Sequence, residues 1–352
     1  MRLFDNCIFM FTRQFSSSRV YLLKFTSILT LKICLLFFYF NEAYALQYSN
    51  TKIDQKSFHF VWRNESPAFL YEMIQMLDKN NFDKLYIGIT KSVCLEVSYW
   101  DCGVSMWSAD ELIQVIEYAK SYGLIVAVEI KMLNKTKKSF GHLKTMHIND
   151  ETLDPEAAEF TDLYNKTFEY VAKVLGVSEI VIGFDEIYGF SSKEKLALEK
   201  ANQIMLPSSL FIQASNTAYV LGLVNNLSVT IWGDMLIDND SLSCPGSKHN
   251  HGSSSTGYNS NLLPYIPKNI KILAWYYNNT SSFCGIDLLR RNGFSVAVAV
   301  FKPNKTRENL LNYASENNVN ETVYTSFRYI RHKNIETADD LCKLLELGNC
   351  GE

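Results

Sequence analysis

Short apolar runs alternate with stretches of helical period along most of this chain. The runs at 58–62, 84–89, 123–130, 178–184, 228–232, 270–276, 294–301 and 322–327 are rich in β-branched and aromatic residues and read as strands. Several are apolar at successive positions, the pattern of parallel strands covered on both faces. Between them, Ala109–Lys120 places Leu112, Val115, Ile116 and Ala119 at helical spacing, with Ser108 as N-cap, Glu111 three residues on and Gly123 as the stop. Segments 156–175 and 193–205 carry the same period. Eight βα units in about 300 residues predict an α/β fold, a (β/α)8 TIM barrel, as a single domain over residues 46–352. The rival doubly wound sheet would need a Gly-rich turn after its first strand, and Ser57–Glu65 has none. The least regular stretch, Asp238–Tyr265, is a Ser/Gly/Asn-rich loop of the length that forms lids.

Residues 1–45 break the alternation. Arg2, Arg13, Arg19 and Lys24 precede the apolar run Ile33–Phe40, and Ala43-Tyr44-Ala45 follows, the layout of an export signal cleaved after Ala45. The run is short for a membrane span, so no stable span is expected once it is removed, although Ile28–Leu31 could lengthen it into an uncleaved anchor. This places the protein in a secreted, periplasmic or other extracytoplasmic compartment. Cleavage would remove Cys7 and Cys34 and leave six cysteines, an even number suited to an oxidising compartment. Closeness in sequence pairs Cys94 with Cys102 and Cys342 with Cys350, which leaves Cys244 for Cys284; buried free thiols are the alternative. Acceptor triplets for N-linked glycans begin at Asn64, Asn134, Asn165, Asn226, Asn239, Asn278, Asn279, Asn304 and Asn320.

A formal net charge of −3 with 20% charged residues carries no electrostatic footprint for nucleic acid, and none is expected as a partner. No Cys/His spacing marks a metal site, and neither metal nor cofactor is expected. His142, His147, His249, His251 and His332 are scattered, and Lys135–Lys138 reads as a solvated loop.

Catalytic groups of such barrels collect where the strands end. The fourth strand ends in Asp185 and Glu186, two adjacent carboxylates that cannot extend an apolar strand unpaired. Around them the strand tips offer Trp62 and Arg63 (first), Glu129 and Lys131 (third), Trp232 and Asp234 (fifth), Trp275, Tyr276 and Tyr277 (sixth), and Phe327 and Arg328 (eighth). Aromatic planes pack on the C–H faces of sugar rings and charged groups bind hydroxyls, so this mixture points to a glycan or oligosaccharide as the molecule bound.

From about Lys56 to Arg328 the chain resembles the family-20 glycoside hydrolases, the β-N-acetylhexosaminidases, in a divergent branch that lacks the small α/β domain preceding the barrel. Ser108–Ile130 is similar to the family's helix and strand ending in Pro-Glu-Ile, and Thr152–Glu156 to the block before its next helix. Ile180–Glu186 falls on the His-x-Gly-Gly-Asp-Glu signature, Trp232–Leu236 matches the fifth strand, and Ala274–Tyr277 falls on Asp-Trp-His-Tyr. The resemblance implies that Glu186 is the general acid and that Asp185 holds the substrate's 2-acetamido N–H, orienting its carbonyl to attack the anomeric carbon. It further implies a hydrogen bond from Tyr276 or Tyr277 to the acetamido oxygen, a wall at Trp275, and sugar binding by Trp232 and Asp234. The function expected is removal of terminal N-acetylhexosamine-type sugars by substrate-assisted retaining catalysis.

The chain departs from the family where Val181 replaces the signature His, Phe184 its second Gly and Ala274 the Asp before Trp275. The sugar-binding Arg and Asp of strand one are missing from Lys56–Val61, and the Pro-Gly-His turn after strand three is altered. These losses keep two further readings open: a noncatalytic carbohydrate-binding protein on the same barrel, and another barrel chemistry with Glu129 and Glu186 as a conventional carboxylate pair.

Overall fold

The computed structural model describes residues 55–103, 105–149, 151–187, 206–237, 260–277, 280–301, 304–326, 337–347 and 350. These fall within one compact unit, Ile53–Glu352. The export signal over 1–45, the helix expected over 193–205, most of the loop after the fifth strand, and Phe327 and Arg328 lie outside the described residues.

Eight parallel strands close into a barrel in chain order: β1 (Gln55–Trp62), β2 (Lys84–Ile89), β3 (Ile125–Ile130), β4 (Glu179–Val181), β5 (Ser228–Trp232), β6 (Lys271–Trp275), β7 (Val296–Val300) and β8 (Glu321–Thr325), with β8 pairing back onto β1. This is the expected (β/α)8 barrel. Among the described residues its longer helices are α1 (Pro67–Lys79), α2 (Ala109–Ser121), α3 (Phe160–Lys173), α4 (Ser208–Val224), α5 (Cys284–Arg291), α6 (Lys305–Glu316) and α7 (Ala338–Leu344). Helix α2 starts at the expected capping box: Ser108 accepts from the Glu111 N–H, and the Glu111 carboxylate accepts from the Ser108 N–H. It buries Leu112, Val115, Ile116 and Ala119 against the sheet, and each of its larger aliphatic side chains contributes about 1.5–3 kcal/mol of burial.

The fourth strand is three residues long where seven were expected. Gly183 and Phe184 adopt left-handed backbone, with φ of 81° and 75°, which ends the regular ladder early. Pairing with β5 nonetheless continues, through Ile182 N–H to the Thr230 carbonyl at 3.0 Å and Trp232 N–H to the Gly183 carbonyl at 2.9 Å. The strand therefore delivers its acids past a sharp turn.

Residues facing the helices, among them Phe58, Phe60, Ile87 and Val128, form one core. Tyr86, Ala127, Val181, Trp232, Leu273, Trp275, Ala297, Ala299 and Val323 fill the barrel itself. At the strand N-termini this inner packing turns ionic. Lys84, Glu179, Lys271 and Glu321 are the first residues of β2, β4, β6 and β8, the alternate-strand layer of such barrels. Lys84 meets Glu179 at 2.5 Å, and Lys271 meets Glu179 at 3.2 Å and Glu321 at 2.8 Å. Tyr86 donates to Glu321 at 2.6 Å. Burial pushes the Glu179 carboxyl up, but the Lys271 and Lys84 charges outweigh it and hold the group well below the usual carboxylate range.

Disulfides join Cys94 to Cys102 and Cys342 to Cys350, as expected. Cys284 is disulfide-bonded too, and its expected partner Cys244 lies outside the described residues. Among the described residues no helix is long and apolar enough to cross a membrane.

Candidate active site

The turn after β4 aims two carboxylates into the barrel mouth. Glycine suits position 183: φ is 81°, and a Cβ there would stand 2.9 Å from Lys131 Cδ, which would have to shift. Glu186 is left-handed as well, at φ 48°. Its side chain is 37% exposed, against 11% for Asp185 and 3% for Glu129, so Glu186 is the most open carboxylate of the three.

Two lysines from the segment after β3 bind these acids. Lys131 lies 2.6 Å from Glu129 Oε1 and 2.7 Å from Asp185 Oδ1, with its ammonium 5.7 Å from the centre of the Trp232 ring. Lys135 lies 2.6 Å from Asp185 Oδ2 and 2.7 Å from Glu186 Oε2. Burial pushes the Asp185 carboxyl up, yet the two ammonium groups outweigh it and bring it down to about 2. Both lysines are disfavoured by burial but raised above their ordinary range by the surrounding carboxylates. Glu129 is also held below the carboxylate range, Lys131 and His59 overcoming its burial. It accepts from Trp232 Nε1 at 2.7 Å and lies 2.7 Å from His59 Nε2, whose Nδ1 is 3.2 Å from Thr325 Oγ1. The Tyr277 hydroxyl bonds to Thr325 as well. One connected polar network thus runs from β6 through β8, β1 and β3 to the acid pair on β4.

Asp234 is the exception among the acids. It is 1% exposed, and its Oδ2 accepts the Glu186 N–H at 2.8 Å while its Oδ1 accepts from Trp275 Nε1 at 3.3 Å. Burial, then the negative charges of Asp185 and Glu186, push its carboxyl up to about 8. Near neutral pH it therefore keeps its proton.

The structure brings Glu129, Asp185, Glu186, Trp232, Asp234, Trp275 and Tyr277 together, with the Tyr277 ring 4.9 Å from that of Trp275. Other expected binding residues lie elsewhere. Trp62 is fully buried, stacked on Trp107 at 6.0 Å, with its indole N–H spent on the Glu65 carbonyl. It backs the first strand and presents no face to a sugar. Arg63 is half-buried beside it. Tyr276 points into the outer core against Phe283, so of the two tyrosines only Tyr277 lines the mouth.

Sequence reasoning missed His59 and Asn134 and misread Lys135. His59 is a polar residue at an inward position of an apolar strand, a signal that was present. Lys135 belongs to the site and not to a solvated loop, because left-handed backbone at φ 59° turns it back toward the acids. Asn134, the first residue of an acceptor triplet, is buried and donates to the carbonyls of Asp185 at 2.9 Å and Glu186 at 2.5 Å. It is not a glycan site in the folded protein. Among the described residues no group of three or more His, Cys, Asp or Glu is arranged to hold a metal ion.

Solved structures share this closed (β/α)8 barrel. The chain resembles Dispersin B at a TM-score of 0.55 and 13% identity, over 84% of this chain and 98% of that one. It resembles the pneumococcal virulence factor StrH, a structure concerned with N-glycan recognition and hydrolysis, at 0.55 and 10%, over 83% and 81%. An inactive variant of the Vibrio harveyi family-20 exo-β-N-acetylglucosaminidase aligns at 0.50 and 13%, over 78% of this chain and 50% of that protein. The barrel therefore has the fold of the family-20 β-N-acetylhexosaminidases, and the resemblance read from the sequence holds at the level of the fold. No family model and no curated protein matches the chain.

Proposed function

We propose that this protein is a glycoside hydrolase that acts outside the cytoplasm on N-acetylhexosamine-containing glycans. The observation that carries the reading is the adjacent pair Asp185–Glu186 at the tip of β4, facing Trp232, Trp275 and Tyr277 across the barrel mouth. Side chains of neighbouring residues diverge, so one acid serves the leaving group and the other the ring substituent. Glu186, the more open, protonates the leaving glycosidic oxygen. Asp185, held anionic by Lys131 and Lys135 down to about pH 2, accepts the substrate's acetamido N–H. The acetamido carbonyl then attacks the anomeric carbon as the glycosidic bond breaks, and water opens the resulting ring with Glu186 acting as base. The same fold in proteins described as acting on N-glycans and N-acetylglucosaminides supports this reading.

The test is turnover of an aryl N-acetyl-β-hexosaminide by the native protein and by Glu186→Gln. Loss of about 100-fold or more is expected, and comparable turnover in the variant would sink the assignment. A second reading, a noncatalytic sugar-binding barrel, is favoured by one observation: both oxygens of Asp185 already carry a lysine. Calorimetry with chito-oligosaccharides separates the two, because that reading requires binding without hydrolysis.

A further inference from the structure

We propose that Asn134 and Asp234 are positioning residues that grip the main chain of Glu186 from both sides and hold it in the left-handed conformation that aims its carboxylate. The catalytic part of this inference rests on the reading of Glu186 as the acid; the conformational part does not. Residues other than glycine seldom adopt φ near 48°, and the stretch Phe184-Asp185-Glu186-Ile187 has no glycine to take it freely. Each main-chain group of Glu186 has a buried side-chain partner from a different part of the barrel. Its N–H donates to Asp234 Oδ2 at 2.8 Å, and its carbonyl accepts from Asn134 Nδ2 at 2.5 Å.

Both partners are anchored in turn. Asn134 donates a second time, to the Asp185 carbonyl, while its Oδ1 accepts from Thr152 Oγ1 at 3.3 Å. Asp234 is fixed by Trp275 Nε1 from β6. A residue in a sparsely populated region persists only where its surroundings over-determine it, and here three hydrogen bonds from Asn134 and Asp234, themselves braced by Thr152 and Trp275, do so. Release of the grip would let residue 186 relax to negative φ. That rotation swings the carboxylate away from the mouth while leaving the aromatic walls in place.

The experiment compares Glu186→Gly with Glu186→Ala by thermal melting of the full chain, each in the native background and with Asn134→Ala. Both variants lose the Lys135 ion pair, so their difference isolates the backbone. With Asn134 present, Glu186→Gly is expected to melt about 2 °C above Glu186→Ala, because only glycine takes positive φ without strain. With Asn134→Ala the gap is expected to close or reverse. An unchanged gap, or none in the native background, overturns the grip. In turnover, Asp234→Ala, which removes the acceptor for the Glu186 N–H, is expected to lower kcat about 100-fold with KM within about twofold; a raised KM with kcat intact overturns the positioning role in favour of direct sugar binding. If Glu186→Gln retains full turnover the proposed function falls, and the melting comparison still decides the grip.

Discussion

The barrel has a charged layer at each end, and the two are built on opposite principles. At the strand N-termini two lysines and two glutamates alternate in sign around β2, β4, β6 and β8, and every charge meets its opposite within the ring. At the C-terminal mouth, among the described residues, two lysines face four carboxyl groups, Glu129, Asp185, Glu186 and Asp234. The lower ring is neutral and closed. Among the described residues the upper one has more carboxyl groups than lysines, and burial, followed by the charges of Asp185 and Glu186, pushes its most buried member, Asp234, to about 8, so that it stays protonated near neutral pH. Balanced charge makes a plug; imbalance stores a proton beside an acid that points outward. The difference separates a layer whose charges are all paired from one that carries a neutral, protonated acid among its ion pairs.

The comparison breaks most readily at the lower ring. Lys84→Met leaves Glu179 and Glu321 sharing Lys271 in the sealed interior, and is expected to destabilise the protein by about 3–5 kcal/mol in urea unfolding. Next comes the stored proton. The folded protein holds it between about pH 4 and pH 8 while the unfolded chain releases it, so stability from this group falls as pH rises through that window and levels off above about 8. The expected loss is at most about 5 kcal/mol, about four pH units at about 1.36 kcal/mol each, read as the difference in melting against pH between the native protein and Asp234→Asn. A flat difference would show that Asp234 is ionised throughout. The smallest effect is at the open edge of the upper layer. Lys135, a third exposed, is expected to cost under about 1 kcal/mol when replaced by Met, and a loss equal to that of Lys84→Met would erase the distinction between the layers.

Much of this was legible from residue order. Strands β2 and β5 begin and end where their apolar runs do, at Lys84–Ile89 and Ser228–Trp232, because parallel strands covered on both faces are apolar at successive positions. The acids of β4 lie where an apolar run must stop. What stayed hidden depends on distance along the chain. Lys135 reaches Asp185 fifty residues away, and nothing in Lys135–Lys138 tells a loop that folds back over the mouth from one that faces water. Glu179 and Lys271 pair across 92 residues; each looks like an ordinary polar strand end until the barrel closes. His59, between two phenylalanines, was masked by its apolar neighbours. Trp62 was misplaced because a strand tip can turn its last side chain outward as well as inward.

Asn134-Lys135-Thr136 is also an acceptor triplet for N-linked glycosylation, and folding removes all of it from reach. The Asn134 amide is spent on two carbonyls, and the Thr136 hydroxyl donates to the Glu151 carbonyl and sits 3.0 Å from His147. A glycan could be attached only before the barrel closes, and once attached it would occupy the space the amide needs. In a secretory route that glycosylates nascent chains, modification and folding therefore compete for the same side chain. Material modified at Asn134 would be the fraction that never closed its mouth.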